Sequence, residues 1–380
     1  MRSRFSRVTA ALLAMLPPKP TIRKILQIGN YPPPMCGWAV QTVLLNKELR
    51  RRGHISEVLN VNESRKKKSS QYVDVQNGFD FVWKVLWFSA RGYHIHAHLN
   101  AESLKLYLLD LMALLWARVI GHPAILTFHG GIPQKFFPKQ RPRWTRYAFQ
   151  LIFRLAGRMT CDNEEIKEAI VSYGIQQRRI AAIPCFSAEL LEFHSRPLLE
   201  EAGAFLAFHH PVFLCYISFR PEYRLPVLRR AMAQFRERFS EAGFIWLGFP
   251  VKEMAPAHAY IEDWQPNEKS GLLLLGNLAH DDFLSLLSRC YGYLRTPACD
   301  GVSASVLESL ALGVPVVASE NGRRPPGVVT YAEDDSADLC DKLSYVVRNY
   351  LEVKRYTRLE LPAKNTERMA DWVLGEYSSC

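Results

Sequence analysis

The sequence predicts an α/β protein with two parallel sheets, because patterns typical of buried strands alternate with helical patterns in two successive series. The first series begins at the apolar run Ile25–Ile28, and the second begins near Val212. The 380 residues are more than one average domain needs, and 48% hydrophobic with 22% charged residues is a globular composition. These values exclude a disordered, collagen-like or fibrous chain.

Each series contains several strands and helices in turn. The first comprises the predicted strands Ile25–Ile28, Ile55–Leu59, His94–Leu99 and Pro123–Phe128, with a long helix over Leu104–Ile120. The second comprises the predicted strands Val212–Ile217, Phe244–Leu247, Leu272–Leu275 and Tyr293–Leu294, with helices over Leu225–Phe239 and Asp281–Cys290. Because ligands of parallel sheets bind beyond the carboxyl ends of the strands, we expect the functional site in the loops that follow them.

We divide the chain into four segments: a basic amphipathic stretch (1–20), two α/β domains (21–190 and 205–345), and a C-terminal helical segment (346–380) that we expect to pack back on the first domain. The first segment imitates a signal peptide, with three arginines before the apolar run Val8–Leu16. That run is about half as long as a membrane span, and Pro17-Pro18 stands where a cleavage site belongs. We expect a helix that rests on a membrane surface.

Charge is unevenly distributed between the two halves. Residues 1–190 hold 28 basic and 12 acidic residues (net +16), whereas residues 191–380 hold 20 and 25 (net −5), which together give the formal net charge of +11. The eight cysteines form no Cys-x-x-Cys pair, so neither a zinc framework nor a thioredoxin-type motif is indicated, and we expect a reducing cytosol.

The segment Leu294–Ser319 is the strongest candidate for chemistry. It predicts a strand, a Gly/Ser loop, a short helix ending at Gly313, and another buried strand. Free backbone N–H groups and the positive dipole end at such a helix start form an anion site suited to a phosphate. A structural alternative stays open, because Ser305-x-x-Glu308 is also the pattern of a capping box.

Several motifs resemble those of retaining glycosyltransferases of family 4, which have the GT-B fold of two Rossmann-like domains facing across a cleft. Asp300 and Glu308, with seven residues between them and a Gly-x-Pro-Val-Val-Ala-Ser strand after them, resemble the family's signature, which usually has two glutamates. Other matches follow in the family's order: Gly29–Gly37 (first glycine-rich loop), Arg52-Gly53-His54, Thr127–Gly131 (active-site histidine loop), Ile183-Pro184 (end of the acceptor-side domain) and Gly276–His280 (base-reading loop).

The resemblance implies a role for each matching residue. Glu308 would bind the donor ribose, Asp300 and His129 would lie beside the transferred sugar, and Gly37 would let the backbone approach a phosphate. The N–H groups of Gly301, Val302 and Ser303 would hold sugar hydroxyls or the diphosphate, and Asn277 would contact the base. A packed loop histidine at 129 and a simple turn glycine at 37 remain alternatives.

Two motifs depart from the family pattern, the diphosphate clamp and the first glycine-rich loop. The family's diphosphate clamp, usually an Arg and a Lys, aligns with Ser218 and Tyr223, so we expect Arg220 and Arg224 to substitute by binding phosphate oxygens. In the first loop, Cys36 replaces one of the usual paired glycines.

We expect no metal and no organic cofactor. His94, His96 and His98 alternate along one strand face, yet no carboxylate or fourth ligand accompanies them at a fixed spacing. The sequence also has no Asp-x-Asp, no Gly-x-Gly-x-x-Gly and no Walker A pattern, which argues against metal-dependent sugar transferases, dehydrogenases and ATPases.

Basic clusters mixed with aromatic residues, above all over Lys135–Arg158, suit the anionic headgroups of a membrane. Nucleic acid and a merely solvated charged face are the weaker alternatives, and no nucleic-acid-binding motif accompanies the cluster. We expect a cytoplasmic enzyme, peripheral on the inner face of the membrane, that moves a sugar from a nucleoside diphosphate sugar to a growing, lipid-linked bacterial polysaccharide or lipopolysaccharide glycan. A nucleotide-sugar 2-epimerase and a catalytically degenerate GT-B partner in an assembly complex are the alternatives.

Overall fold

The computed structural model describes residues 22–32, 37–101, 103–129, 137, 143–298, 303–357 and 363–376, without the side chain of Arg143. The basic segment 1–20, Cys36, and three of the predicted site residues, Asp300, Gly301 and Val302, lie outside these ranges. Among the described helices, none combines the length and the apolar character that crossing a membrane requires.

The first domain is built on a parallel sheet with the strand order β2-β1-β3-β4-β5-β6. Its strands are β1 (Lys24–Gly29), β2 (Ile55–Asn60), β3 (Tyr93–Leu99), β4 (Ile125–Phe128), β5 (Arg158–Cys161) and β6 (Ile180–Ala182). The helices that cover it are α1 (Gly37–Arg51), α2 (Gly78–Ala90), α3 (Leu104–Val119), α4 (Arg143–Leu155) and α5 (Glu164–Val171). Because helices cover both faces, the central strands are buried on both faces along most of their length.

The second domain repeats this plan with the strand order β12-β11-β10-β7-β8-β9. Its strands are β7 (Val212–Tyr216), β8 (Gly243–Leu247), β9 (Leu272–Gly276), β10 (Gly292–Arg295), β11 (Val316–Ser319) and β12 (Val328–Tyr331). Its helices are α6 (Glu200–Phe208), α7 (Leu225–Arg238), α8 (Met254–Tyr260), α9 (Pro266–Ser270), α10 (His280–Leu287), α11 (Ala304–Ala311), α12 (Ser336–Arg348) and α13 (Tyr350–Tyr356). Two parallel sheets with flanking helices confirm the predicted fold class.

The last helix, α14 (Asn365–Leu374), returns to the first domain and packs against α1. Trp372 and Val373 share a buried cluster with Ile25 and Leu45, so α14 completes the core of the domain at the other end of the sequence. Helix α13, which also lies in the segment 346–380, packs on the second domain instead, because Val353 joins the core of that domain.

The two sheets point the carboxyl ends of their strands at each other. Arg323, which follows β11, pairs with Glu165, which follows β5, at 3.3 Å, and Lys252, after β8, approaches Glu63, after β2, at 3.8 Å. Both ion pairs join loops at the carboxyl edges of different sheets. The loops of the two domains therefore line a common cleft, where a parallel-sheet protein binds its ligand.

Candidate functional site

The second domain offers a ligand position between β7 and β10, where the strand order reverses direction. The hydroxyl of Thr296, which follows β10, donates to the carbonyl of Tyr223, in the loop after β7, at 2.7 Å. Arg295, nearly buried at the end of β10, lies over the rings of Tyr216 and Tyr223, with 5.6 and 5.3 Å between the guanidinium and the ring centroids. These contacts tie the two loops together around a buried cation.

The helix α11 begins at this position. Ser303 is its N-cap residue, and its hydroxyl lies 2.9 Å from that of Ser305, which in turn lies 2.6 Å from the Tyr293 hydroxyl. Glu308 is buried and bonds to His280 Nε2 through Oε1 at 2.7 Å. The capping-box alternative is therefore wrong, because the N-cap residue lies two positions before Ser305 and the Glu308 carboxylate bonds to another helix.

The two clamp candidates differ in their surroundings. Arg220 is exposed at the start of the turn Pro221–Tyr223, whereas Arg224 is half-buried and forms ion pairs with Glu333 and Asp334 at 3.2 and 2.9 Å. Arg224 also has a left-handed backbone, with φ of 49°. Its charge is already balanced, so Arg220 is the better placed of the two for an incoming diphosphate.

Two residues that we predict to bind the sugar donor, Asn277 and Gly37, are exposed. Asn277 is exposed directly after β9, while His280, three residues later, makes the contact to Glu308. Gly37 is the exposed first residue of α1, and a Cβ built there meets no described atom within 4 Å. No described atom therefore restricts the space in front of Gly37, and packing among the described residues does not require glycine at this position.

His129 follows β4 on the first-domain side of the cleft. Its Nε2 lies 3.0 Å from Nδ1 of His98, a buried residue of the neighbouring strand β3, and the Trp38 ring stacks on it with 4.9 Å between centroids. These contacts fix the imidazole from two sides. The other ring nitrogen of His129 also faces a polar group.

That second nitrogen meets a thiol and a carboxyl. Cys185 Sγ lies 3.5 Å from His129 Nδ1 and 3.3 Å from Gln41 Oε1, and its single proton is donated to Asp162 Oδ1 at 2.8 Å. Asp162 follows β5, and Cys185 comes shortly after β6. Three loops at the carboxyl edge of one sheet thus bring an imidazole, a thiol and a carboxyl together.

Burial alters the protonation of this cluster. Burial lowers the pKa of His129 to about 3, with a smaller effect of His96, and it lowers the pKa of His98 well below its ordinary value. Burial also raises the pKa of Asp162 to about 6, although the hydrogen bond from Cys185 acts in the opposite direction. At neutral pH His129 is therefore an uncharged imidazole, able to donate or accept a hydrogen bond.

The strand histidines do not form the metal site that their alternation suggests. His96 Nε2 bonds to the Thr127 hydroxyl at 2.7 Å, His98 bonds to His129, and His94 is exposed against the ring of His122. Each of the three thus has a different partner.

Sequence reasoning missed four residues of the cleft: Asp162, Cys185, His280 and Arg295. Each follows or ends a strand, so its position at a carboxyl edge was the available signal. The contacts themselves join residues from different strands and leave no fixed spacing in the sequence.

Comparisons with known proteins agree with this architecture. Residues 36–186 match the family model for Glycosyltransferase Family 4. HepE from Anabaena, solved in complex with UDP, has a TM-score of 0.62 and 16% identity over 92% of this chain and 94% of its own. A putative UDP-N-acetylglucosamine 2-epimerase from Listeria monocytogenes has a TM-score of 0.66 and 12% identity, with 94% and 98% covered.

A third similar structure is the sucrose-phosphate synthase of Thermosynechococcus elongatus, with a TM-score of 0.61 and 14% identity over 93% of this chain and 94% of its own. No curated protein sequence matches the chain. The structural likeness covers both domains, and the family match covers the histidine-bearing domain. The chain therefore has the GT-B fold, and its residues 36–186 are similar to glycosyltransferase family 4.

Proposed function

We propose that this protein transfers a sugar from a nucleoside diphosphate sugar, with retention of anomeric configuration, to a lipid-linked bacterial saccharide at the inner face of the membrane. The observation that carries the proposal is the meeting of two carboxyl edges in one cleft, with His129 on one side and the start of α11 with Glu308 on the other. The family-model match over residues 36–186 supports sugar transfer, and the UDP complexes of HepE support a nucleotide sugar as donor.

In this proposal the second domain holds the donor. Glu308, buried and already hydrogen-bonded to His280, presents a carboxylate to the ribose hydroxyls. The N-terminus of α11 and the exposed Arg220 stabilise the negative charge that develops on the leaving diphosphate. His129 lies beside the transferred sugar, held by His98 and Trp38. The scheme requires no metal, because Arg220 and the dipole of α11 stabilise the negative charge on the diphosphate.

The acceptor proposal rests on an exposed apolar face of the first domain. The face is formed by α2, α3 and α4, which lie side by side, and each helix exposes its own stripe. The residues of the face are Phe79, Trp83 and Trp87 on α2, Leu104, Leu108, Leu115 and Val119 on α3, and Trp144, Tyr147 and Leu151 on α4. The α3 and α4 stripes repeat at three, four or seven residues, the spacing of one helical face.

Charge complementarity favours an anionic bilayer as the occupant of this face. Four cations are exposed on α3 and α4: Lys105, Arg118, Arg146 and Arg154. The one acidic residue of these two helices, Asp110, is fully buried. Aromatic and aliphatic side chains surrounded by exposed cations are the composition of helices that lie in the headgroup region of a membrane. The described cysteines are free thiols, which supports the cytoplasmic side.

The transfer proposal is tested by incubating the full chain with nucleoside diphosphate sugars and a lipid-linked saccharide fraction, and by analysing both substrates. We expect donor consumption that requires acceptor, and a product whose new linkage keeps the donor's anomeric configuration. Conversion of the donor into its C2 epimer without acceptor would favour an epimerase, a possibility raised by the Listeria structure. No consumption of any donor would favour a degenerate partner.

The membrane proposal is tested by flotation with anionic and neutral vesicles. We expect wild-type protein to float with anionic vesicles, and Tyr147→Ser with Leu151→Ser to lose most of this binding while the fold is kept, because both side chains are exposed. Leu351→Ser with Tyr356→Ser is the matched control, since these residues are at least as exposed and lie on the second domain. Flotation that is indifferent to anionic lipid or to the first pair of changes would contradict the proposal.

A further inference from the structure

We propose that His129, Asp162 and Cys185 form a zinc-binding site in the cleft. Their candidate ligand atoms are Nδ1 of His129, a carboxylate oxygen of Asp162 and Sγ of Cys185, and all three lie within 4.8 Å of one another. Imidazole, thiolate and carboxylate are the three ligand types that zinc takes in proteins, and three protein ligands are the number found in zinc sites with an open position. The proposal is separate from sugar transfer, which is expected to run without a metal.

One distance in the cluster already equals that of a filled site, and a second requires a small movement. Zinc bonds of about 2.0–2.3 Å in a tetrahedron place two ligand atoms about 3.5 Å apart. Cys185 Sγ and His129 Nδ1 are already 3.5 Å apart. Cys185 Sγ and Asp162 Oδ1 are 2.8 Å apart because the thiol donates a hydrogen bond to the carboxylate. That pair has to separate by about 0.7 Å, a movement within the reach of side-chain rotation.

The surroundings orient the imidazole for coordination through Nδ1. His98 Nδ1 lies 3.0 Å from His129 Nε2, so one tautomer of this pair places the His129 proton on Nε2 and leaves the Nδ1 lone pair facing Cys185. A histidine that binds zinc through one ring nitrogen usually donates a hydrogen bond from the N–H of its other ring nitrogen. The Trp38 ring stacked on the imidazole restrains its rotation further.

Binding of Zn²⁺ to this site releases the thiol proton of Cys185. Zn²⁺ forms bonds to His129 Nδ1, to an Asp162 oxygen and to Cys185 Sγ, while the proton that now lies between the thiol and the carboxylate leaves to solvent. The fourth position stays open to a water or a substrate oxygen. Because coordination engages the imidazole that faces the transferred sugar in our scheme, we expect the zinc-loaded protein to be the less active form.

The test measures metal binding to the full chain in the absence of any nucleotide sugar. We expect metal-free wild-type protein to bind one equivalent of Zn²⁺ in competition with a chromophoric chelator. Co²⁺ used as a probe should give the intense charge-transfer absorption of a cobalt–thiolate bond. Cys185→Ser should lose this absorption and weaken zinc binding at least about tenfold, and Asp162→Asn should weaken binding while keeping the absorption.

Cys340→Ala is the matched control, because Cys340 is a buried free thiol on α12 of the other domain, and this change should leave stoichiometry and absorption as in wild type. Far-ultraviolet circular dichroism shows that each variant is folded. Wild-type protein that takes up no zinc, or equal zinc affinity in wild type and Cys185→Ser, would overturn the proposal. Neither result depends on whether the protein transfers sugars.

Discussion

His129 has a neutral ring at physiological pH and a defined orientation, set by His98 and Trp38. Its uncharged state follows from burial, which lowers its pKa to about 3. A neutral imidazole can donate or accept a hydrogen bond beside a sugar without bringing a positive charge to a centre that itself develops one. The residue thus suits a transition state with positive charge on the transferred sugar.

We predict that His129→Ala lowers kcat/KM by about 10- to 100-fold with the fold kept, because a hydrogen bond to a partly charged group contributes about 1.5–3 kcal/mol. Steady-state kinetics and thermal unfolding measure the two effects separately. His122→Ala is the control, since that exposed histidine lies at the opposite end of β4. Near-normal turnover in His129→Ala would remove this residue from the site.

The candidate site was partly predictable from single residues. His129, Ser303 and Glu308 each lie in a local strand–loop–helix pattern, so the sequence alone placed them at a strand end or a helix start. Asp162 and Cys185 carry no such pattern, because their significance comes from a contact between loops that follow different strands. Local spacing reports secondary structure, whereas this cluster depends on the order of strands in the sheet.

At the scale of elements, the strands that the sequence predicts agree with the structure within about two residues, whereas the interior strand β5 was not predicted. Strands such as β1 and β8 are buried on both faces, and a short continuous apolar run marks them clearly. Several helices escaped prediction, and two of them did so for opposite reasons. Helix α2 exposes Phe79 and Trp83 on its outer face, which hides the helical period, and α6 lies in a stretch interpreted as a polar connection.

Helix α3 contains a buried acid whose effect on stability is measurable. Neither carboxyl oxygen of Asp110 meets a hydrogen-bond partner among the described residues, and burial raises its pKa well above the ordinary value. Because the pKa of Asp110 is higher in the folded than in the unfolded state, protonation of this carboxyl favours folding. This contribution to the free energy of unfolding is complete at pH values below the pKa of the unfolded state. That contribution is lost as pH rises through the folded pKa.

We therefore predict that Asp110→Asn is more stable than wild type at high pH, by about 1–3 kcal/mol, and that this advantage shrinks as the pH is lowered. Chemical denaturation across a pH series measures the difference. Asp263→Asn, at an exposed position, serves as control and should show no such trend. An advantage that grows toward low pH would contradict the assignment of Asp110 as a buried, unpaired carboxyl.

At the scale of the whole molecule, the two domains depend on each other through the chain's last helix and through their facing edges. Helix α14 fills the core beside Ile25 and Leu45, although it follows the second domain in sequence. The ion pairs Arg323–Glu165 and Lys252–Glu63 lie between partly exposed side chains and contribute little to stability. Their weakness allows the cleft to open and close around a donor at small cost.

The most direct test of the central claim is thermal stabilisation of the full chain by a panel of nucleoside diphosphates and their sugars, with Glu308→Ala and the exposed-site control Glu352→Ala. At a ligand concentration of a hundred times Kd, binding adds about 2.7 kcal/mol to the free energy of unfolding. The account predicts a rise in Tm selective for one base, lost in Glu308→Ala and kept in Glu352→Ala. No rise with any nucleotide, or an equal rise in Glu308→Ala, would contradict it.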